Sequence, residues 1–347
     1  MRVCRNLSEV KLRVGRMPQR GPEAIMGPCD CSWEWEERDM DKDFTQLEWD
    51  EQLVDDCRQL VRLAVREDLD RWYDWTTLSL VPRETQGAAA VATRQPGTIA
   101  GLRAAALALE EMEVDVQWEP VIEDGQSVSG GTTVAHVRGS VRDLLTTERL
   151  VLNLLGRLSG VATLTRRYVE AIQGTPARIY DTRKTTPGWR RLEKYAVRCG
   201  GGRNHRTGLF DAILIKDNHL ALGRCSAGDA VRLAREFLQQ DSPHFSHVAG
   251  MLVEVEVDTL EQLEEVLPLG PDIVLLDNMS VEQLRQAVAR RDAVNRAVEL
   301  EASGGVNLQT VRGIAQTGVE RISVGALTHS AIGLDLGLDW VPVPSLR

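Results

Sequence analysis

The chain has 347 residues, 43% of them hydrophobic and 27% charged, with a formal net charge of −10. That suffices for one large or two medium cores, and the acidic balance excludes a protein that coats nucleic acid, whose footprint is a basic domain. No run approaches the ~20 apolar residues that cross a bilayer, and the first residues lack the apolar core of a secretion signal, so a cytoplasmic protein engaging no membrane is expected. The cysteines are scattered, and Cys29 and Cys31 have a spacing that no common zinc motif uses, so reduced thiols are expected.

Residues 1–40 mix basic residues, Pro and Gly without periodicity and read as a disordered tail. LVDDCRQLVRLAVRED then carries apolar residues at helical spacing. Between about 86 and 140, short β-like runs alternate with turn signals, and LRAAALALEEM forms a helix among them. ERLVLNLLGRLSGVATLTRRYVEAI predicts a long helix interrupted at Ser159-Gly160. Beyond it, strand-like runs at ARIYDTR, AILIKDNH, LVEVEVD, DIVLLDN, VELEASGGV and RISVGAL alternate with helical patterns, which implies parallel βαβ units. Six such strands fall short of a full eight-stranded barrel of ~250 residues. The fold class is therefore α/β: a small N-terminal α+β domain (41–157), then an open, roughly six-stranded β/α barrel (158–327). The chain end (328–347) is expected to return to the N-terminal domain.

Strands of a parallel sheet are buried on both faces and should be apolar, yet these end in charged and polar residues. Asp181, Lys216, Glu256, Asp277, Glu301 and Ser303 stand near their C-terminal ends, where β/α barrels place their active sites. In LVEVEVD, period 2 puts Glu254 and Glu256 on one face, and Glu256 with Asp277 suits a Mg²⁺ or ribose-hydroxyl site. SGGV and SVGAL supply Gly where backbone N–H groups can face a phosphate. DTRKTTPGWRRLEKYAVRCGGGRNHR carries eight Lys or Arg against Asp181 and Glu193. Arg190, Arg191 and Lys194 read as the solvated face of a short helix, whereas Arg183, Lys184, His205 and Arg206 point toward the mouth. Only five lysines occur in the chain, three of them between 184 and 216, where a compact ammonium serves better than a planar fork. His136, His244 and His247 read as structural.

The stretch from Asp181 to His219, followed by VEVEVD, VLLDN, EASGGV and SVGALTHS in that order, resembles the quinolinate phosphoribosyltransferase family. The resemblance runs from roughly Asp50 to Trp340. It implies transfer of phosphoribosyl from phosphoribosyl pyrophosphate to the ring nitrogen of quinolinate, with loss of CO₂, giving nicotinate mononucleotide and pyrophosphate on the de novo route to NAD. It further implies that Arg183, His205, Arg206 and Lys216 hold the quinolinate carboxylates, and that Arg149 reaches into the neighbouring subunit's site. Lys184 would serve the phosphoribosyl pyrophosphate, Glu256 and Asp277 its ribose and Mg²⁺, and the backbone at Ser303, Gly304, Gly305 and Gly325 its 5′-phosphate. Lys184, Lys216, Glu256 and Asp277 are the implied catalytic groups. Mg²⁺ is the implied ion, with no organic cofactor, and the implied assembly is a homodimer with shared active sites or a higher oligomer built from it. REDLDRWYDWTT departs from the family by lacking a Gly, though Asp74 and Thr76 or Thr77 remain. QQDSPHFSHVAG is a longer loop than the family has. A competing barrel chemistry makes Lys216 a Schiff-base lysine. A lipoyl-like carrier reading of EDGQSVSGGTTVAHV fails because no lysine lies between positions 42 and 184.

Overall fold

The computed structural model describes residues 43–239 and 250–341. The expected tail over 1–40 lies outside them, as do His244, His247, almost all of the QQDSPHFSHVAG loop and the final residues of the chain end.

Asp50 opens α1 (Glu51–Leu69) by accepting the Leu53 N–H at 2.8 Å, and Leu53, Cys57 and Val61, four residues apart, form its buried stripe. At its C-terminus Asp70 has positive φ (49°), and its N–H closes the helix by donating to Arg66 O at 2.9 Å. Asp74 then caps α2 (Trp75–Leu80), accepting Thr77 N–H at 2.9 Å. Next come β1 (Gln86–Thr93), β2 (Gly97–Thr98), α3 (Leu102–Glu111), β3 (Val116–Pro120), β4 (Ser127–Val128) and β5 (Thr133–Ser140). A 31-residue helix, α4 (Val141–Ala171), leads into the second half.

That half comprises β6 (Arg178–Tyr180), α5 (Arg190–Cys199), β7 (Ile213–Ile215), α6 (Asp217–Gly223), α7 (Ala227–Leu238), β8 (Val253–Val257), α8 (Leu260–Val266), β9 (Ile273–Asp277), α9 (Val281–Val294), β10 (Glu299–Ser303), α10 (Val311–Ala315), β11 (Arg321–Ser323), α11 (Ala326–His329) and β12 (Leu336–Val341). Six parallel strands run in the order β6-β11-β10-β9-β8-β7, as a barrel does when cut open between its first and second strands. Arg203 stands in that gap, bridged in parallel to Tyr180. The sixth and final barrel strand is not the end of the chain. β12 crosses back and pairs antiparallel with β1, completing a four-stranded sheet ordered β12-β1-β5-β3.

The predicted break in the long helix is absent: α4 continues through Ser159 and Gly160. Ser159 Oγ accepts from Ala100 N at 3.0 Å and donates to Ala100 O at 3.1 Å, so its hydroxyl joins two elements instead of disrupting one. Gly160 serves close approach. A Cβ there would sit 2.2 Å from the Ile332 carbonyl oxygen, where the returning chain crosses the helix, and Leu334 N–H bonds Gly156 O at 2.8 Å one turn earlier. Gly160→Ala should therefore destabilise the protein by about 1–3 kcal/mol, the overpacking cost exceeding the helix-propensity gain of under ~1 kcal/mol. A lower thermal midpoint checks this; an unchanged or higher one contradicts it.

Candidate active site

Strand parity sorts the side chains of β8. Val253, Val255 and Val257 pack in the apolar core, while Glu254 and Glu256 face the barrel axis, Glu254 fully buried and Glu256 two residues nearer the mouth. β10 obeys the same rule with Glu301 buried and Ser303 above it. At the C-terminal ends of the strands lies a cavity of about 410 Å³, lined by Arg183, Lys184, His205, Arg206, Lys216, Glu256, Asp277 and Ser303, among others. That volume falls in the range of small-molecule sites.

Eight of the expected site residues thus meet around one cavity. Gly304 and Gly305 follow Ser303 just outside its lining, and both have positive φ. At Gly304 the reason is spatial as well, because a Cβ would lie 2.1 Å from Asn278 Oδ1. Gly325 begins the turn into α11, with Lys184 Cδ 3.2 Å from where its Cβ would be. Arg149 is exposed on α4 and does not line the cavity of its own chain.

The mouth is cationic and under-neutralised. Arg183 Nε is buried with no hydrogen-bond partner, and burial followed by the neighbouring Arg183 charge holds the Arg206 guanidinium below its usual pKa. An anion between the two would relieve both. Lys216 is ion-paired with Glu256, which fixes a cation beside a carboxylate. The same pairing commits Lys216 Nζ to a carboxylate instead of leaving it as the free nucleophile that the Schiff-base reading needs.

Below the mouth, His205 Nε2 lies 3.1 Å from Glu254 Oε2 and 3.5 Å from Glu301 Oε1, and its Nδ1 accepts the Arg206 N–H at 2.8 Å. Among the described residues this is the set of groups close enough to hold a metal ion. An imidazole between two carboxylates already accounts for it as an ion-pair cluster. Burial alone would lower the His205 pKa, but Glu254 and then Glu301 reverse this and raise it. Burial pushes Glu301 up to about 7, with Glu254 adding to the rise and His205 and Arg321 opposing it. Both groups have raised native values, so the folded protein retains protons that the unfolded chain releases, Glu301 over a window from about pH 4.5 to about pH 7 and His205 above its ordinary 6.5. The associated stability is fully present below that window and is lost as pH rises through it. Thermal midpoints should fall from about pH 5 to about pH 8, and Glu301→Gln should flatten the slope; an unchanged slope would contradict this origin.

One expectation is overturned. The α5 face read as solvated is largely buried, because the helix packs under α4 and α1. Lys194 is wholly buried, ion-paired with Asp181 and donating to His205 O at 2.8 Å. Glu193, also buried, accepts Thr186 N–H at 3.0 Å and pairs with Arg157, tying the TTPG turn to the helix. Arg190 donates to Thr185 Oγ1 and Thr207 O, and Arg191 pairs with Asp56 at 3.1 Å. These side chains frame the site: Glu193 and Lys194 are buried, and Arg190 and Arg191 are half-buried in contacts with the protein. Glu301, expected at a strand end, also lines the cavity, together with Thr182 and Ser323.

Arg183, Lys184, Arg206 and Lys216 above Glu256 and Asp277, at the mouth of an open six-stranded barrel, define an α/β-barrel enzyme that handles small polyanions. Residues 74–159 match the family description "Quinolinate phosphoribosyl transferase, N-terminal domain", and residues 161–339 match "Quinolinate phosphoribosyl transferase, C-terminal domain". The chain belongs to the quinolinate phosphoribosyltransferase family. It is 45% identical over 294 residues, 83% of this chain and 100% of the other, to a nicotinate-nucleotide pyrophosphorylase [carboxylating] of Mycobacterium leprae. A probable nicotinate-nucleotide pyrophosphorylase [carboxylating] of Synechocystis is 40% identical over 275 residues, covering 79% of this chain and 89% of that one. The solved nicotinate-nucleotide pyrophosphorylase of Francisella tularensis superposes with a TM-score of 0.74 at 36% identity, over 83% of this chain and 97% of that chain.

Proposed function

We propose that this chain catalyses the decarboxylating transfer of phosphoribosyl from phosphoribosyl pyrophosphate to quinolinate, producing nicotinate mononucleotide, pyrophosphate and CO₂ for NAD biosynthesis. The observation that carries the reading is the cationic mouth in an acidic chain, with the Arg183 Nε donor unsatisfied beside Arg206 and Lys216. Planar guanidinium forks suit a dicarboxylate. Arg183, Arg206 and Lys216 take the quinolinate carboxylates, and His205 supports them from below. Lys184 serves the pyrophosphate, while the backbone around Ser303, Gly304, Gly305 and Gly325 receives the 5′-phosphate. Arg149, exposed and remote from its own cavity, completes a second subunit's site in a homodimer or a higher oligomer built from it.

Charge gives the mechanism. As the bond from the sugar carbon to pyrophosphate breaks, that carbon gains oxocarbenium character, and Glu256 and Asp277 stabilise it. The ring nitrogen then bonds to the sugar carbon and becomes cationic. The adjacent carboxylate leaves as CO₂, its bonding electron pair remaining on a ring carbon stabilised by that positive charge until a proton is added. Glu256 and Asp277 offer hard oxygen donors; Asp277 Oδ2 accepts from Asn278 Nδ2 at 2.6 Å. These two carboxylates would hold a Mg²⁺ ion. Bound there, it would supply positive charge facing the departing pyrophosphate. A cytoplasmic location belongs to the same proposal; no helix among the described residues is long and apolar enough to cross a membrane. Purified protein given quinolinate, phosphoribosyl pyrophosphate and Mg²⁺ should form nicotinate mononucleotide and release CO₂, both followed by mass. Absence of product above background would sink the reading.

A further inference from the structure

Ahead of α1, and ahead of the first residue matched by the family descriptions, the segment 43–47 lies against the run that carries Asn204, His205 and Arg206. Gln46 pairs its amide with the backbone of Asn204 in both directions: Asn204 N donates to Gln46 Oε1 at 2.8 Å, and Gln46 Nε2 donates to Asn204 O at 3.1 Å. Leu47 N adds a bond to Asn204 Oδ1 at 2.8 Å. The remaining amide of Asn204 turns inward, Nδ2 donating to Asp181 Oδ2 at 2.7 Å and to Lys194 O at 2.8 Å. Asn204 is fully buried, and every polar atom it has is committed, its backbone N–H and C=O and its Oδ1 to the segment 43–47.

Phe44 acts on the next residue. Its ring stacks on the His205 imidazole at 4.3 Å between centroids and 26° between planes, and it sits in a small apolar cluster with Tyr180, Ala212 and Ile273. Asp43 anchors the segment's start to Arg203 and Arg321. The two positions preceding the mouth-facing guanidinium are therefore held from two sides. Asp181 Oδ1 accepts His205 N–H at 2.9 Å from within the barrel, and the segment 43–47 holds Asn204 and the His205 ring from outside. In a barrel open between β6 and β7, β6 flanks this run on one side through the Tyr180–Arg203 bridge, and the segment 43–47 adds its hold at Asn204 and His205.

We propose that residues 43–47 form a strap that positions the substrate-facing pair His205–Arg206, with Gln46 and Phe44 as positioning residues acting through Asn204 and His205. The inference rests on the proposed reaction only for its kinetic readout. Among the described residues no hydrogen bond or ion pair joins the strap to Lys184, Glu256 or Asp277, where phosphoribosyl pyrophosphate would bind, so its effect falls on quinolinate.

The test uses the full chain with Gln46→Ala and, separately, Phe44→Leu, which keeps an apolar plug but removes the stacked ring. Each variant should raise KM for quinolinate roughly ten-fold, since small misplacement of a binding group far from the reacting atoms is enough for such losses, and should leave KM for phosphoribosyl pyrophosphate unchanged. Without any substrate, amide hydrogen exchange at Asn204, His205 and Arg206 should accelerate relative to the rest of the barrel. Exchange and both KM values matching the wild type would overturn the strap, as would both KM values rising together in step with a general loss of stability. Should Gln46→Ala fail to fold, Phe44→Leu decides. A wild-type chain that forms no product would remove the proposed reaction, and the exchange measurement would still support or overturn the strap.

Discussion

Arg206→Ala should lower kcat/KM for quinolinate by about 100-fold while leaving KM for phosphoribosyl pyrophosphate within about two-fold. A charge-assisted hydrogen bond contributes up to ~3 kcal/mol, and each ~1.4 kcal/mol is ten-fold. Arg206 is buried beside Arg183, where low solvent access strengthens any ion pair with a bound carboxylate. Lys216→Ala provides the contrast. Because Lys216 is paired with Glu256, its removal both deletes a quinolinate cation and frees a carboxylate proposed to serve the ribose, so a smaller rise in KM for the second substrate should accompany the main loss. Steady-state kinetics with each substrate varied in turn separates the cases. Unaltered quinolinate kinetics in both variants would refute the assignment of these cations.

Lys194→Met is the second large effect, and it concerns stability. Burial pushes the Asp181 carboxyl up and the Lys194 ammonium down, each against the attraction of the other. Such a pair contributes little net stability when intact, yet removing one partner leaves an uncompensated buried charge, typically at a cost of about 3–5 kcal/mol. Asp181 also receives His205 N–H and Asn204 Nδ2, so losing the pair loosens the segment bearing the site. Adding Asp181→Asn to Lys194→Met should recover part of the loss, because no net charge then remains buried. Denaturant unfolding measures both. A single variant within about 1 kcal/mol of wild type would show that the pair is not held as the geometry indicates.

The barrel was legible because its strands carry an unambiguous signal: apolar runs closed by polar residues, separated by helical periodicity. The mouth residues were legible for the same reason, since a strand's C-terminal end locates its side chains in space. What escaped the sequence was burial of charge. Lys194 stands on a helix whose other cations made a solvated face the natural reading, and nothing in its neighbours announces that Asp181, thirteen positions earlier, will meet it in the interior. The scarcity of lysine was a signal pointing the right way, since a compact ammonium fits where a guanidinium would not. Gly160 was misread because a glycine that admits a crossing chain looks, in one dimension, like a glycine that ends a helix. The strap was invisible for a third reason. Its bonds join Gln46 to Asn204, 158 positions away, and no local pattern encodes a partner at that distance.

The return of β12 to β1 bears on how the protein is made. β1 is among the first strands to leave the ribosome, and its partner over Ala88–Thr93 is among the last. Until then β1 has β5 on one side and an open hydrogen-bonding edge on the other, throughout synthesis of the whole barrel. The first domain in the chain is thus the last to be completed, a long-range closure of the slow-forming kind. A nascent or truncated chain lacking its last dozen or so residues would carry a finished barrel and a sheet with an exposed, pairing-competent edge. Such species are the ones chaperones and proteases should recognise.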